Sequence, residues 1–253
     1  MTGEGGLYFI ETLGCPKNQV DSDKLEGTLI ADGMTAAESA DQADLIVVNT
    51  CAFIEEAREE SIHTILALDN DRSDNSKLIV TGCMAERYGD ELAEALPEAD
   101  SIAGFGVPVT IGSKPKAPLL DLLHLPRPPS RSPWAYVKIA EGCDRACGFC
   151  AIPTFRGPQR SRTIDDICRE VDELHAKEIV LVAQDLAAFG RDQGKGERSI
   201  VPLIKAVSER TDWVRLLYLY PSDLNDALID AICETGVPYF DLSLQHVSKP
   251  LMR

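Results

Sequence analysis

The sequence has no long apolar run. Nothing in its 253 residues approaches the roughly 18 or more consecutive apolar positions that carry a helix across a bilayer. The opening segment, MTGEGGLYFIETLG, lacks the basic stretch followed by an apolar one that marks a secretory leader. Both absences argue against a membrane partner and make a soluble, cytoplasmic protein the expectation. Positive charge is also scarce: 25 Lys and Arg stand against 41 Asp and Glu, a formal net charge of −16. Such a balance repels a phosphate backbone at long range, so nucleic acid is a disfavoured partner for this chain and a basic protein partner suits it better. A local exception is RGPQRSR, where Arg156, Arg160 and Arg162 form either a basic patch or a solvated loop.

What is present is enough apolar residue, 44% against 26% charged, to build one large core or two ordinary ones without disulfide staples. In a reducing compartment the eight cysteines read as metal ligands, redox groups or small buried hydrophobes. Three times in the first half a β-rich apolar run ends in a small or polar residue and then Cys: LYFIETLGC, DLIVVNTC and KLIVTGC. Each predicts a strand followed by a turn. Between them lie helical patterns. DSDKLEGTLIADG offers Asp21 or Ser22 as N-cap, Leu25, Leu29 and Ile30 as a buried stripe and Gly33 as the stop, EEAREESIHTILALD continues with Ile62, Ile65 and Leu66, and a third helix runs from about Arg87 to Leu96.

Alternating strands and helices predict a parallel sheet, in which ligands bind beyond the carboxyl ends of the strands. Cys15, Cys51 and Cys83 share that address. A single cysteine is more often inert core, but three independent core cysteines have no reason to coincide there. Asn18, Asn49 and Thr50 are placed to bond to the sulfurs, and Gly14 and Gly82 to let backbone approach a bulky group. GFGVP, residues 104–108, does not complete a phosphate-binding pattern and predicts a turn.

Residues 113–133, SKPKAPLLDLLHLPRPPSRSP, are proline-rich and predict a linker in which LLDLLHL packs as a short apolar strap. The expected division is therefore 1–112, a parallel-sheet α/β domain; 113–133, the linker; and 134–253, a second α/β domain. The latter alternates WAYVKIA, EIVLVAQD, WVRLLYLYP and YFDLSLQ with three helices, as in a β/α barrel. Four strands cannot close a barrel, and the final one would leave an apolar edge bare, so a partial barrel whose last strands are missing is expected. Cys168 and Cys233 fall beside helical apolar stripes and are read as core.

At the end of the first strand of this half stands EGCDRACGFC, residues 141–150, where a barrel places its active site. A zinc site would require a fourth ligand, and the nearest candidates are His124, Cys168 and His175, the last two assigned to a helix. Three thiolates alone fit a 4Fe-4S cluster with one iron left open.

At Cys143, Cys147, Phe149 and Cys150, a CxxxCxxC motif with an aromatic before its last cysteine, the sequence resembles the radical S-adenosylmethionine (SAM) superfamily. With the first half included, it resembles the methylthiotransferases of that superfamily. TLGCPKNQVDSD, NTCAFIEEAREES, GCDRACGFCAIPTFRGPQRSR, YLYPSDL and DLSLQH are most similar to the branch that modifies an aspartate of a small-subunit ribosomal protein. The tRNA-modifying branch usually carries Gln-Met in place of Pro16-Lys17.

The resemblance implies two 4Fe-4S clusters, one on Cys143, Cys147 and Cys150 and one on Cys15, Cys51 and Cys83, with SAM as co-substrate. It implies radical transfer of a methylthio group to the aspartate β-carbon, which has no acidic or nucleophilic handle. Phe149 is expected near adenine and Gln184 against SAM, with a flavodoxin- or ferredoxin-like reductant and the ribosomal protein as partners. Members normally carry the remaining barrel strands and a C-terminal TRAM domain beyond the segments found here. The competing expectations are methylthiolation of a tRNA adenosine on the same scaffold and a non-catalytic iron-sulfur carrier.

Overall fold

The three apolar runs of the first half become the centre of a five-stranded parallel sheet. In the computed structural model, which describes residues 5–105, 107, 121–148, 150–194, 196, 198–244 and 247–248, the chain divides into two units between Pro128 and Pro129. In the first unit β1 (Leu7–Thr12), β3 (Leu45–Thr50) and β4 (Lys77–Gly82) lie side by side. Short β2 (Thr35–Ala36) extends the β1 edge and short β5 (Ser101–Ala103) the β4 edge, giving the order β2-β1-β3-β4-β5. Ile10 pairs with Val47, and Val47 with Ile79. Every residue of β3 is buried, so both faces of this strand are covered and LIVVNT shows no alternation. In this strand order the direction of winding reverses between β1 and β3, the crevice where doubly wound sheets bind ligands.

Helix α1 spans Pro16–Ala31, with Pro in its first turn and Cys15 as its N-cap. The expected start at Asp21 or Ser22 is therefore too late: proline's fixed φ suits the first helical turn, and its missing N–H costs nothing there. Asp21 and Ser22 are instead buried inside the helix, and Ser22 Oγ accepts hydrogen bonds from Thr12 Oγ1 at 2.7 Å and Asn49 Nδ2 at 2.9 Å. Leu25 and Leu29 enter the core with Tyr8, Leu45, Val47 and Ile79, each buried leucine contributing about 1.5–3 kcal/mol over an exposed one. Ile30 does not join them; it is exposed, because the Leu25–Leu29 stripe leaves residue 30 a further 100° or so round the helix.

Helix α2 (Glu55–Asp71) buries Ile65, and α3 (Cys83–Ala95) starts at Cys83 directly after β4 and breaks its helical geometry at Gly89. Gly104 carbonyl accepts from Val107 N, a turn in GFGVP. Residues 121–127 of the proline-rich segment lie along α1: Leu122 joins the core, Lys24 Nζ donates to Leu123 O at 2.8 Å, and Arg127 pairs with Asp23 at 2.8 Å.

In the second unit β6 (Trp134–Lys138), β9 (Glu178–Val182) and β10 (Trp213–Leu216) form a parallel sheet of order β10-β9-β6. A two-residue pair, β7 (Ala140–Glu141) and β8 (Arg160–Ser161), runs antiparallel. Ala135, Val137, Ile179, Leu181, Val214 and Leu216 pack with residues of α5 (Ile164–Leu174), α6 (Ile200–Ser208) and α7 (Asp226–Cys233). The alternate residues Tyr136, Lys138, Val180 and Val182 belong to the opposite face, as in the interior of a β/α barrel. Of the expected fourth strand, Leu242 forms an isolated parallel bridge to Leu219. Short α4 is Ile152–Arg156. Among the described residues no helix is long and apolar enough to cross a membrane.

Candidate metal centres

Parallel strands put three cysteines at one end of the first sheet. Cys15 follows β1 and caps α1, Cys51 follows β3, and Cys83 is the first residue of α3 after β4. Gly14 and Gly82 precede two of them with φ of 90° and 91°, the region that favours glycine. Space is limiting as well: a Cβ on Gly14 would lie 2.9 Å from Cys51 Sγ.

Buried Asn18 joins the three strand ends. Its Nδ2 donates to Leu13 O at 2.9 Å and Thr50 O at 3.0 Å, and its Oδ1 accepts from the Cys83 thiol at 3.6 Å. Asn49 and Thr50, expected to bond to sulfur, brace the frame instead. Asn49 Nδ2 donates to Asn18 O at 2.8 Å, and Thr50 Oγ1 donates to Thr81 O at 2.5 Å.

The second group comes from a single loop after β7. Arg145 N donates to Cys143 Sγ at 3.4 Å, and Cys150 N donates to Cys147 O at 3.1 Å. Burial pushes the Cys143 thiol above its ordinary range, and the Asp185 charge adds to that, against the Arg145 amide and guanidinium. Such a thiol ionises readily only when a cation or metal arrives. Phe149 lies outside the described residues. Among those described, no three His, Cys, Asp or Glu side chains are already gathered round one ion position; the first set of thiols lies at one end of its sheet, on three neighbouring strand ends, and the second in one loop.

Beside the loop is a buried polar floor. Glu141 accepts from Lys138 Nζ at 2.7 Å, Arg156 Nη1 at 2.9 Å and Gln184 Nε2 at 2.7 Å. Burial alone would raise the Glu141 carboxyl, but Arg156 and Lys138 outweigh it and hold the group below the usual carboxylate range. Gln184 Oε1 is buried and has no hydrogen-bond partner among the described residues. Such an acceptor is costly unless a ligand meets it.

Arg145 holds the cysteine loop to the ends of two other strands. Its Nε donates to Asp185 Oδ2 at 2.5 Å, its Nη2 pairs with Asp223, and Arg198 also bonds to Asp223 at 2.5 Å. The guanidinium carbon sits 3.9 Å from the centre of the Tyr220 ring, whose hydroxyl is 3.6 Å from Cys147 Sγ. Burial, then the contact with Cys147, pushes the Tyr220 hydroxyl up to about 12. RGPQRSR is neither a basic surface patch nor a wholly solvated loop: Arg156 and Arg162 are buried, paired with Glu141 and Glu170, while Arg160 is exposed. Lys138 and Glu141, the charged residues that end β6 and β7, could have signalled the floor; Tyr220 carried only its place after a strand.

Two family models divide the chain. Residues 7–104, which hold Cys15, Cys51 and Cys83, match the Uncharacterized protein family UPF0004, and residues 137–253, which hold the CxxxCxxC loop, match the Radical SAM superfamily. Curated relatives span both halves. One from Anaeromyxobacter sp. (strain K), "Ribosomal protein uS12 methylthiotransferase RimO", is 44% identical over 97% of this chain and 56% of its own length. Proteins of the same name from Acetivibrio thermocellus and Aquifex aeolicus are 40% and 41% identical, each over 96% of this chain and over 60% and 57% of their own lengths.

The first unit thus matches one of these models and the second the other, and over nearly its whole length the chain is similar to curated methylthiotransferases. It spans somewhat over half the length of the curated relatives it matches. The α/β fold, with a parallel-sheet first unit and a radical SAM second unit, is the expected one.

Proposed function

We propose that the chain acts as a transferase of sulfur-containing groups, adding a methylthio group to the β-carbon of an aspartate in a small-subunit ribosomal protein. Two 4Fe-4S clusters and SAM would serve it, with a flavodoxin- or ferredoxin-like protein as reductant, in the cytoplasm. The observation that carries the reading is the same address occupied twice: Cys15, Cys51 and Cys83 follow strands of the first sheet, and Cys143, Cys147 and Cys150 follow the first strands of the second unit. The relatives' printed name supplies the acceptor, since it names ribosomal protein uS12 as their substrate.

The donor sets fit the groups. Each offers three thiols, the complement for a cluster with one iron free for a non-protein ligand. When bound, the clusters and SAM supply the one-electron and radical chemistry that no side chain provides. The chain's own residues do the rest. Gly14 keeps side-chain bulk away from Cys51, Gly82 lets the backbone pack against Asn49 and Thr50, and Asn18 fixes the spacing of the strand ends that bear the thiols. In the second unit Gln184 Oε1 is an acceptor suited to the ammonium of SAM, and Glu141 holds the Gln184 carboxamide in place. Lys138 and Arg156 keep Glu141 ionised, so that it accepts rather than donates. Phe149 would lie near adenine.

Mass spectrometry of the two candidate substrates from a deletion strain tests the function. The expected result is a ribosomal protein that lacks the mass of a methylthio group in place of one hydrogen, restored by the gene. A modified ribosomal protein alongside unmodified tRNA would transfer the assignment to the tRNA adenosine branch. A formal net charge of −16 disfavours that outcome.

A further inference from the structure

YLYPSDL follows β10 and takes no part in the ligand sets, yet it brings Tyr220 to the cysteine loop. The contact is specific: the Tyr220 hydroxyl is 3.6 Å from Cys147 Sγ, a hydrogen-bonding distance for sulfur. Either atom can donate while Cys147 is a thiol. A metal-bound cysteine is a thiolate with no proton to give, so in the ligated form the phenol must be the donor.

The ring is not free to leave. The Arg145 guanidinium lies over its face at 3.9 Å and is fixed in turn by Asp185 and Asp223, both buried. A cation on the ring face draws electron density from the phenol and makes its O–H a stronger donor. Asp223 is steadied from its other side by Arg198. The strand ends after β9 and β10 thus converge on one hydroxyl aimed at one sulfur.

We propose that Tyr220 is a positioning residue of the Cys143, Cys147 and Cys150 centre: its hydroxyl donates a hydrogen bond to the Cys147 sulfur and makes the bound cluster easier to reduce. The inference rests on the reading that these three cysteines hold a 4Fe-4S cluster. Donation to a ligand sulfur withdraws charge from it, which favours the more negative, reduced state and raises the reduction potential. The demand is real at this site, because a cluster that must pass an electron onward has to be charged first by an external reductant.

The test uses the full chain with Cys15, Cys51 and Cys83 replaced by Ala, so that only the second centre is loaded. Tyr220→Phe is compared with its parent by potentiometric titration followed by electron paramagnetic resonance, alongside iron and sulfide content. The expected result is equal iron content, a midpoint moved to more negative potential in Tyr220→Phe, and loss of one exchangeable proton coupling in electron-nuclear double resonance.

An unchanged midpoint with the proton coupling retained would overturn the role of Tyr220 while leaving the cluster assignment intact. A parent that takes up no iron would overturn the cluster assignment, and this inference with it. Should Tyr220→Phe load iron poorly, the proton coupling in the parent alone decides: its absence refutes the hydrogen bond, and its presence supports it.

Discussion

Cys15, Cys51 and Cys83 come from three separate strand ends, whereas Cys143, Cys147 and Cys150 share one loop. In the first unit the spacing of the thiols is a property of the sheet. Register across β1, β3 and β4 sets it, Asn18 locks it, and glycines at positive φ make room for it. In the second unit the spacing is written into the local sequence, but the loop has almost no backbone ladder of its own. There the side chain of Arg145 does the holding, through Asp185, Asp223 and Tyr220. A sheet-borne site is therefore exposed to backbone crowding, and a loop-borne site to loss of side-chain partners.

The largest expected effect separates the two sets by chemistry. Cys147→Ala should reduce the release of 5′-deoxyadenosine from SAM to background. Cys51→Ala should leave that release in place and abolish methylthio transfer, both read by chromatography of a full-chain reaction. If both variants kept the release and lost only transfer, the division of labour would be wrong.

Backbone crowding gives the next effect. Gly14→Ala forces a side chain into a left-handed φ of 90° and to within 2.9 Å of Cys51 Sγ, a cost of about 1–3 kcal/mol. Gly148→Ala, with no described atom within 4 Å of the added carbon, should change stability by no more than about 0.5 kcal/mol. Urea denaturation of the metal-free chain measures both, and equal losses would erase the contrast.

Acid sharpens the comparison at the other end of the first sheet. Asp100 precedes β5 and accepts from Leu78 N at 2.9 Å, Lys77 Nζ at 2.8 Å and Arg72 Nη1 at 2.5 Å. Burial opposes ionisation, but these donors outweigh it and lower the carboxyl to about 2. A depressed folded value means the stabilisation is complete above the unfolded value near 4 and is lost as pH falls towards 2. Asp100→Asn should therefore cost on the order of 1–2 kcal/mol at neutral pH, a difference that shrinks through that window in thermal melts.

The smallest effect concerns the two remaining cysteines. Cys168 is buried on α5, as its stripe predicts, but Cys233 is exposed at the end of α7. Leu228, Ala231 and Ile232 define the buried face of α7, and residue 233 has turned off it. Cys168→Ser and Cys233→Ser should leave iron content unchanged by colorimetric assay.

The pattern of what was legible follows from range. Strands that end in cysteine, and the CxxxCxxC spacing, are local and could be read directly. β2 and β5, at two and three residues, are too short to carry a periodicity. The burial of Arg156 and Arg162 depends on Glu141 and Glu170, and nothing in RGPQRSR tells a paired arginine from a solvated one. The Arg145 network joins residues 40 and 78 positions apart, contacts that only the folded sheet creates. The start of α1 lies before the capping pattern at Asp21 and Ser22 because Pro16 occupies the first helical turn, a place that proline takes as readily as a turn.

Iron and sulfide content of anaerobically reconstituted full chain tests the central claim most directly, that each unit supplies its own three-thiolate site. The account predicts that replacing Cys15, Cys51 and Cys83 by Ala removes half of the iron, that replacing Cys143, Cys147 and Cys150 removes the other half, and that the two losses add. Iron content unaltered by either triple replacement, or abolished by one of them alone, would contradict it.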